Sequence, residues 1–198
     1  MKVLVCSDVH ESKKAMKKLK ELADKVDLIV NCGDFTIFGN DMKEMLRFFN
    51  SLGKQVLLLD GNHEEFTPLK HLCKKYKRLF YIHKNKIIIG DYIFMGYNTD
   101  GFSYTDTGFE KFSLHFIEWA KQHRDKKRVL ITHAPPYGTK ADLIIDQHVG
   151  SKSIHKFLNN VRFHYHFCGH IHEGAQTISK IKDCIVINPG PYGMIVEL

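Results

Sequence analysis

The strongest constraint in the sequence is a repeated juxtaposition of a short apolar run with hydrophilic side chains of the kind that hold ions. Val56-Leu57-Leu58-Leu59 leads through Asp60 into Gly61-Asn62-His63-Glu64. An Asn beside a His is awkward inside a strand, but in a turn closed by a small Gly both side chains reach into a cleft. Asp8-Val9-His10, Gly33-Asp34, His133 and Gly169-His170-Ile171-His172 each also follow an apolar, strand-like run. A chain built this way brings five strand ends together around one hydrophilic centre.

The runs alternate with helical patterns in the first third. Lys2 to Ser7, Asp27 to Cys32 and Gln55 to Leu59 read as strands, separated by helices over Ser12 to Asp24, with Ser12 as N-cap, and over Asp41 to Asn50, ahead of Gly53. Such β-α-β crossovers imply parallel pairing. A short helix is expected from Thr67, with Pro68 in its first turn. Phe80 to His83, Lys86 to Gly90 and Asp91 to Gly96 then read as a meander. Phe109 to Gln122 has helical spacing, Val129 to Thr132 returns to strand, and Ala134 to Gly138 is too rich in breakers for regular structure. A helix over Ser151 to Asn159 and strands over Phe163 to Cys168, Gln176 to Ile181, Asp183 to Asn188 and Met194 to Glu197 complete the pattern.

Parallel units followed by hairpins predict an α/β fold of two packed mixed β-sheets, a β-sandwich flanked by helices. The 198 residues, 43% hydrophobic, suffice for one core and do not demand a second, so a single domain over 1–198 is expected. The net charge of +7 permits anionic ligands, but much of it lies in Lys13, Lys14, Lys17, Lys18 and Lys20 on one helix, as a solvated face would show. Nucleic-acid binding is therefore not favoured. Cys6, Cys32, Cys73, Cys168 and Cys184 are odd in number and never spaced as CxxC, which fits small buried hydrophobes in a reducing compartment. With no signal-peptide pattern and no run near the roughly 20 residues of a membrane span, the expected location is the cytoplasm, without membrane contact.

Strand carboxyl ends are where ligands bind in α/β units. Asp8 and His10 flank Val9, so an extended segment turns both to one side, where they clasp one ion, and His170 and His172 repeat the arrangement. Asp8, His10, Asp34, Asn62, His133, His170 and His172 offer nitrogen and oxygen without thiolate, a set suited to Mn, Fe, Zn or Co. Seven ligands are too many for one tetrahedral zinc. Shared between two ions about 3.5–4 Å apart and bridged by a carboxylate, they fit a two-metal hydrolytic centre.

In this order the motifs D-x-H, G-D, G-N-H-E, H and G-H-x-H resemble the signature of the calcineurin-like metallophosphoesterase superfamily, across residues 8 to 172. The resemblance implies a β-sandwich in which Asp8, His10, Asp34 and His172 hold one metal, and Asp34 bridges to a second held by Asn62, His133 and His170. It implies two divalent cations, manganese foremost with Fe, Zn, Co or Ni as alternatives, and attack on phosphorus by a hydroxide between them. His63, a non-ligand by the same carry-over, would protonate the leaving alkoxide or steer the phosphoryl group, with Glu64 or Asp60 as candidate carboxylates to orient it. Protein phosphatases of the superfamily extend G-D to G-D-x-x-D-R-G, whereas Gly33-Asp34 continues as Phe35-Thr36-Ile37-Phe38-Gly39. Compact members similar to class III cyclic-nucleotide phosphodiesterases match better, so a small phosphodiester, nucleotide-derived substrates included, is the expected substrate. The alternatives are a phosphomonoester of a small metabolite, a nucleic-acid diester, and a scaffold that keeps the fold without catalysis. The loop Asn98 to Thr107 either borders the cleft or caps the sandwich, and Ser151 is expected to N-cap its helix rather than present amides to phosphate. His164 and His166 lie before their strand end and fall outside the ligand set.

Overall fold

The computed structural model describes residues 1–64, 68–99 and 101–198. In chain order the elements are β1 (Lys2–Cys6), α1 (Lys13–Ala23), β2 (Leu28–Asn31), α2 (Met42–Ser51), β3 (Gln55–Leu58), α3 (Leu69–Cys73) and β4 (Leu79–Tyr81). They continue with β5 (Asn85–Ile89), β6 (Tyr92–Tyr97), α4 (Thr107–Gln122), β7 (Lys127–Thr132), β8 (Leu143–Ile144), β9 (Gln147–His148) and α5 (Lys152–Asn160). The chain ends with β10 (Tyr165–Phe167), β11 (Thr177–Ile181), β12 (Cys184–Asn188) and β13 (Met194–Glu197).

Two mixed sheets form, in the orders β13-β1-β2-β3-β4 and β11-β12-β10-β7-β6-β5. Their strands are apolar on both faces because each sheet is covered twice, which is why the runs read as continuous rather than alternating. Val3, Val5, Val30, Leu57, Phe94, Val129, Ile131 and Phe167 meet between the sheets. Leu4, Ile29, Val56 and Leu58 face the other way, against Leu19 of α1 and Met45, Leu46 and Phe49 of α2. Across the second sheet, Ile93, Met95, Leu130 and Val186 pack under Phe109 and Phe116 of α4 and Phe157 of α5. The layering is helix, sheet, sheet, helix. The five lysines of α1 all lie on its exposed side, and all five cysteines are buried and free.

The caps behave as their chemistry dictates. Ser12 Oγ accepts from the Ala15 amide and Ser151 Oγ from the Ile154 amide, each at 3.3 Å. Around α3 the expectation shifts: Thr67 lies outside the described residues, and Pro68 is the N-cap of the helix rather than part of its first turn. The expected meander is corrected more substantially. β4 pairs parallel with β3 in the first sheet, and only β5 and β6 form a hairpin, in the second sheet. The short helix α3 supplies the crossover that parallel pairing needs, after which the chain changes sheets at the isolated bridge between His83 and Gly96. Among the described residues no helix is long and apolar enough to cross a membrane.

Candidate metal centre

Parallel pairing decides where the polar turns go. β1, β2 and β3 run side by side, as do β7 and β10, so the turns after them emerge at one end of each sheet. Backbone bonds lock the turns together: the Asp8 amide donates to Gly33 O at 3.0 Å, His10 to Asp34 O at 3.1 Å, and Gly169 to His133 O at 2.8 Å. Close approach demands glycine at two of these turns. A Cβ on Gly61 would strike Asp34 Oδ1, and one on Gly169 would strike Ser7 Oγ.

All eight side chains singled out from the sequence converge here. Three trios bring ligand atoms within 4.8 Å of one another: Asp8, His10 and His172; His10, Asp34 and His63; Asp34, His133 and His170. Asp34 Oδ2 lies 3.2 Å from His133 Nε2 and 4.0 Å from both His10 Nε2 and His63 Nε2. Asn62 Oδ1 sits 3.0 Å from both His133 Nε2 and His170 Nδ1. The His172 ring approaches Asp8, with Nε2 at 3.9 Å from Oδ1.

The local geometry differs from the expected one. Asp8 and His10 have φ of 57° and 43°, so they meet through a tight left-handed turn and not by strand alternation. His170, at φ 69°, parts from His172: the former joins Asp34 and His133, the latter Asp8 and His10. The two HxH-like pairs therefore do not repeat one arrangement. Non-glycine residues in this backbone region are strained, and such strain is tolerated where the surroundings over-determine it; Asp34, at φ 52°, is another.

Hydrogen bonds assign the ring nitrogens. His10 Nδ1 lies 3.0 Å from Thr36 O and His133 Nδ1 2.9 Å from Cys32 O. A carbonyl can only accept, so each Nδ1 carries a proton and each Nε2 faces the centre. His63 is opposite: the Phe38 amide donates to its Nδ1 at 3.2 Å, so the proton sits on Nε2. Phe38 also stacks on the His63 ring, with centroids 4.2 Å apart and planes 19° from parallel. Burial holds the His63 pKa below the ordinary imidazole value, which keeps this tautomer neutral. Burial also acts to depress His133, but its hydrogen bond to the Asp34 carboxylate wins and holds the imidazole well above its ordinary value. A proton thus occupies the position where a cation would sit, and cation binding displaces it.

Neither expected carboxylate orients His63. Asp60 accepts from the Tyr81 hydroxyl at 3.0 Å and from Asn98 Nδ2 at 3.1 Å. Glu64, 1% exposed, accepts from the amides of Asp34 at 2.9 Å, Thr36 at 2.8 Å and Gly61 at 3.0 Å, and from the Thr36 hydroxyl at 2.6 Å. It staples the turn after β2 to the turn after β3. Glu64→Ala strands four buried donors and, at roughly 1–3 kcal/mol for each buried unsatisfied group, is expected to cost at least about 4 kcal/mol of stability, read as a lower urea midpoint with unchanged m-value. An unchanged midpoint would show that the two turns hold without it.

The remaining candidates sort themselves. His166 is fully buried with Nε2 2.7 Å from Thr132 Oγ1, and burial pushes its pKa down to about 3, so it stays neutral beneath the centre. His164 Nδ1 accepts from the Arg128 amide at 3.0 Å. Gly150 donates to the buried Asp142 carboxylate at 3.0 Å, so the Ser151 helix start presents ordinary capping. The loop after β6 borders the cleft: Phe102 meets His170 edge-on at 5.0 Å, and a cavity of about 380 Å³ opens beside Asn62, lined also by Asn98, Ser103, Thr105 and Asp106. Asp100 lies outside the described residues.

A sandwich whose strand ends gather carboxylates, an amide and imidazoles into overlapping trios defines the class of dinuclear metallohydrolases. The calcineurin-like phosphoesterase model matches residues 1–174, and the chain belongs to that family, which works with a dinuclear divalent metal centre. An uncharacterised protein of Methanocaldococcus jannaschii is 34% identical over 99% of this chain and 91% of its own length. Among solved structures, the fold is shared with the Thermus thermophilus protein TT1561, at TM-score 0.74 and 12% identity over 96% of this chain and 88% of that one. It is shared too with a dimetal phosphatase of Danio rerio, at TM-score 0.62 and 10% identity over 95% and 86%, and with an archaeal phosphodiesterase, at TM-score 0.52 and 18% identity over 96% and 84%.

Proposed function

We propose that this protein is a metal-dependent hydrolase of a small phosphodiester, nucleotide-derived esters included, acting in the cytoplasm with manganese as its preferred ion. The observation that carries the reading is the position of Asp34, whose Oδ2 lies 4.0 Å from His10 Nε2 on one side and 3.2 Å from His133 Nε2 on the other, as a carboxylate shared between two ions would need. The donor chemistry fits the group: nitrogen and oxygen only, with the two imidazoles oriented by carbonyls so that Nε2 faces inward. Asp8, His10, Asp34 and His172 would hold one ion, and Asp34, Asn62, His133 and His170 the other. When bound, the two ions supply Lewis acidity, acidifying a water and neutralising charge that grows on the phosphoryl oxygens.

The chain's own residues do the rest. His63 holds a proton on Nε2, aimed into the centre and available to the oxygen that leaves; the Phe38 amide and ring fix that direction. Glu64 keeps Asp34 and Asn62 in register by tying their turns together. Preference for a diester is supported by the cavity beside Asn62: its described lining has no lysine or arginine and one carboxylate, Asp106, so nothing there would offset the second negative charge of a monoester. Manganese-reconstituted protein is expected to hydrolyse bis(4-nitrophenyl) phosphate at least about tenfold more efficiently, in kcat/KM, than 4-nitrophenyl phosphate, a difference of about 1.4 kcal/mol. The reverse preference would make it a monoesterase. Bound metal with turnover of neither ester would point to the non-catalytic scaffold.

A further inference from the structure

Two of the turns that carry ligands belong to different sheets. Asp8 and His10 follow β1 of the first sheet, and His170 and His172 follow β10 of the second. Sheets that pack face to face through apolar side chains share no ladder to fix their ends against each other. One bond across the gap, from the His170 amide to the Asp8 carboxylate at 3.1 Å, uses a ligand itself. A second link does not.

Asn188, fully buried at the end of β12, stands between the two turns. Its Nδ2 donates to the Ile171 carbonyl at 2.9 Å, between the two histidines, and its Oδ1 accepts from the Gly190 amide at 3.1 Å. Gly190 O in turn accepts from the amide of Ser7, the residue before Asp8, at 3.2 Å. A carbonyl only accepts and an amide N–H only donates, so the direction of the Asn188 side chain is fixed, and an ionised carboxylate could make the second bond but not the first. The Ile171 carbonyl also accepts from the Gly174 amide at 3.1 Å, so its own turn closes without Asn188. What Asn188 adds is the tie from that turn to the other sheet.

Resting on the two-metal reading of the centre, we infer that Asn188 is a positioning residue for the ion assigned to Asp8, His10, Asp34 and His172, acting through the Ile171 carbonyl and the Gly190 turn. The trio Asp8, His10 and His172 rides wholly on the two turns that Asn188 joins, whereas of the trio Asp34, His133 and His170 His170 alone does. Its loss therefore falls on one ion far more than on the other. Glu64 holds the opposite half, where the turns of Asp34 and Asn62 meet.

The test titrates Mn²⁺ into chelator-stripped wild type, Asn188→Ala and Asn188→Leu, with bound ions followed by calorimetry and their magnetic coupling by electron paramagnetic resonance. Wild type should take up two ions whose spins couple. In both variants one ion should weaken about ten- to a hundredfold, the usual cost of removing a group that orients ligands, while the other keeps its affinity. At metal equal to two ions per chain, the hyperfine pattern of isolated Mn²⁺ should then replace the coupled signal. Asn188→Leu keeps the side-chain volume and carries the test where Asn188→Ala lowers the folded yield. In a His172→Ala background the added Asn188 substitution should cost the weakened ion less than it does in wild type, because both changes act on one contact. Equal weakening of both ions, the pattern of general loosening, overturns the inference, as does wild-type affinity for both ions in the variants. Selective weakening without turnover of any ester upholds the positioning role while the hydrolase reading falls. Turnover by variants that bind both ions as wild type does leaves the hydrolase reading standing and removes the role of Asn188.

Discussion

Replacing Asp34 by Asn is expected to lower turnover of an aryl phosphodiester by about a thousandfold or more. The substitution is nearly isosteric and keeps an oxygen for the His63 amide, which donates to Asp34 Oδ1 at 2.9 Å. What it removes is a negative charge that lies within 4.0 Å of His10, His63 and His133 alike. A carboxylate shared as proposed would anchor both ions, so its loss would sacrifice several kcal/mol of electrostatic stabilisation, at 1.36 kcal/mol per tenfold in rate. The same variant should lose thermal protection by metal. Wild type gains about 2.7 kcal/mol per site at a metal concentration 100 times Kd, and Asp34→Asn should keep little of it. Wild-type turnover and wild-type protection in the variant would remove Asp34 from the centre of the account.

His63→Ala is expected to cut kcat by about 10²–10⁴, the range for loss of a positioned proton donor, while leaving metal stoichiometry unchanged. The separation follows from the tautomer: with Nδ1 taken up by the Phe38 amide, His63 points a proton, not a lone pair, at the centre. His63→Gln, which keeps an N–H donor, should recover part of the loss. If His63→Ala instead strips one ion from the protein at unchanged affinity for the other, the trio of His10, Asp34 and His63 is a ligand set and the assignment of His63 is wrong.

The parts of this arrangement that the sequence discloses are those whose chemistry is local. Each strand that leads into the site announces itself by an apolar run, and each turn carries its own Asp, Asn or His, so convergence of the five follows once the strands are paired in parallel. What orients His63 is invisible for a physical reason: its partner is a backbone amide, 25 residues away in sequence, and every residue but proline has one. Glu64 looks like a partner for its neighbour, yet its carboxylate turns to amides of the preceding β2 turn. The left-handed turns at Asp8 and His10 escape notice because neither residue is a glycine, the usual mark of positive φ. β4 is only three residues long, too short for a periodicity that would tell which sheet it joins; the crossover through α3 decides it.

The most direct measurement is turnover of bis(4-nitrophenyl) phosphate as Mn²⁺ is titrated into chelator-stripped protein, with bound ions counted by native mass spectrometry in the same samples. Turnover should be absent without metal and rise to a plateau at two ions per chain. Full activity in the stripped protein, or a plateau at one ion, would contradict a centre organised around a carboxylate shared by two metals.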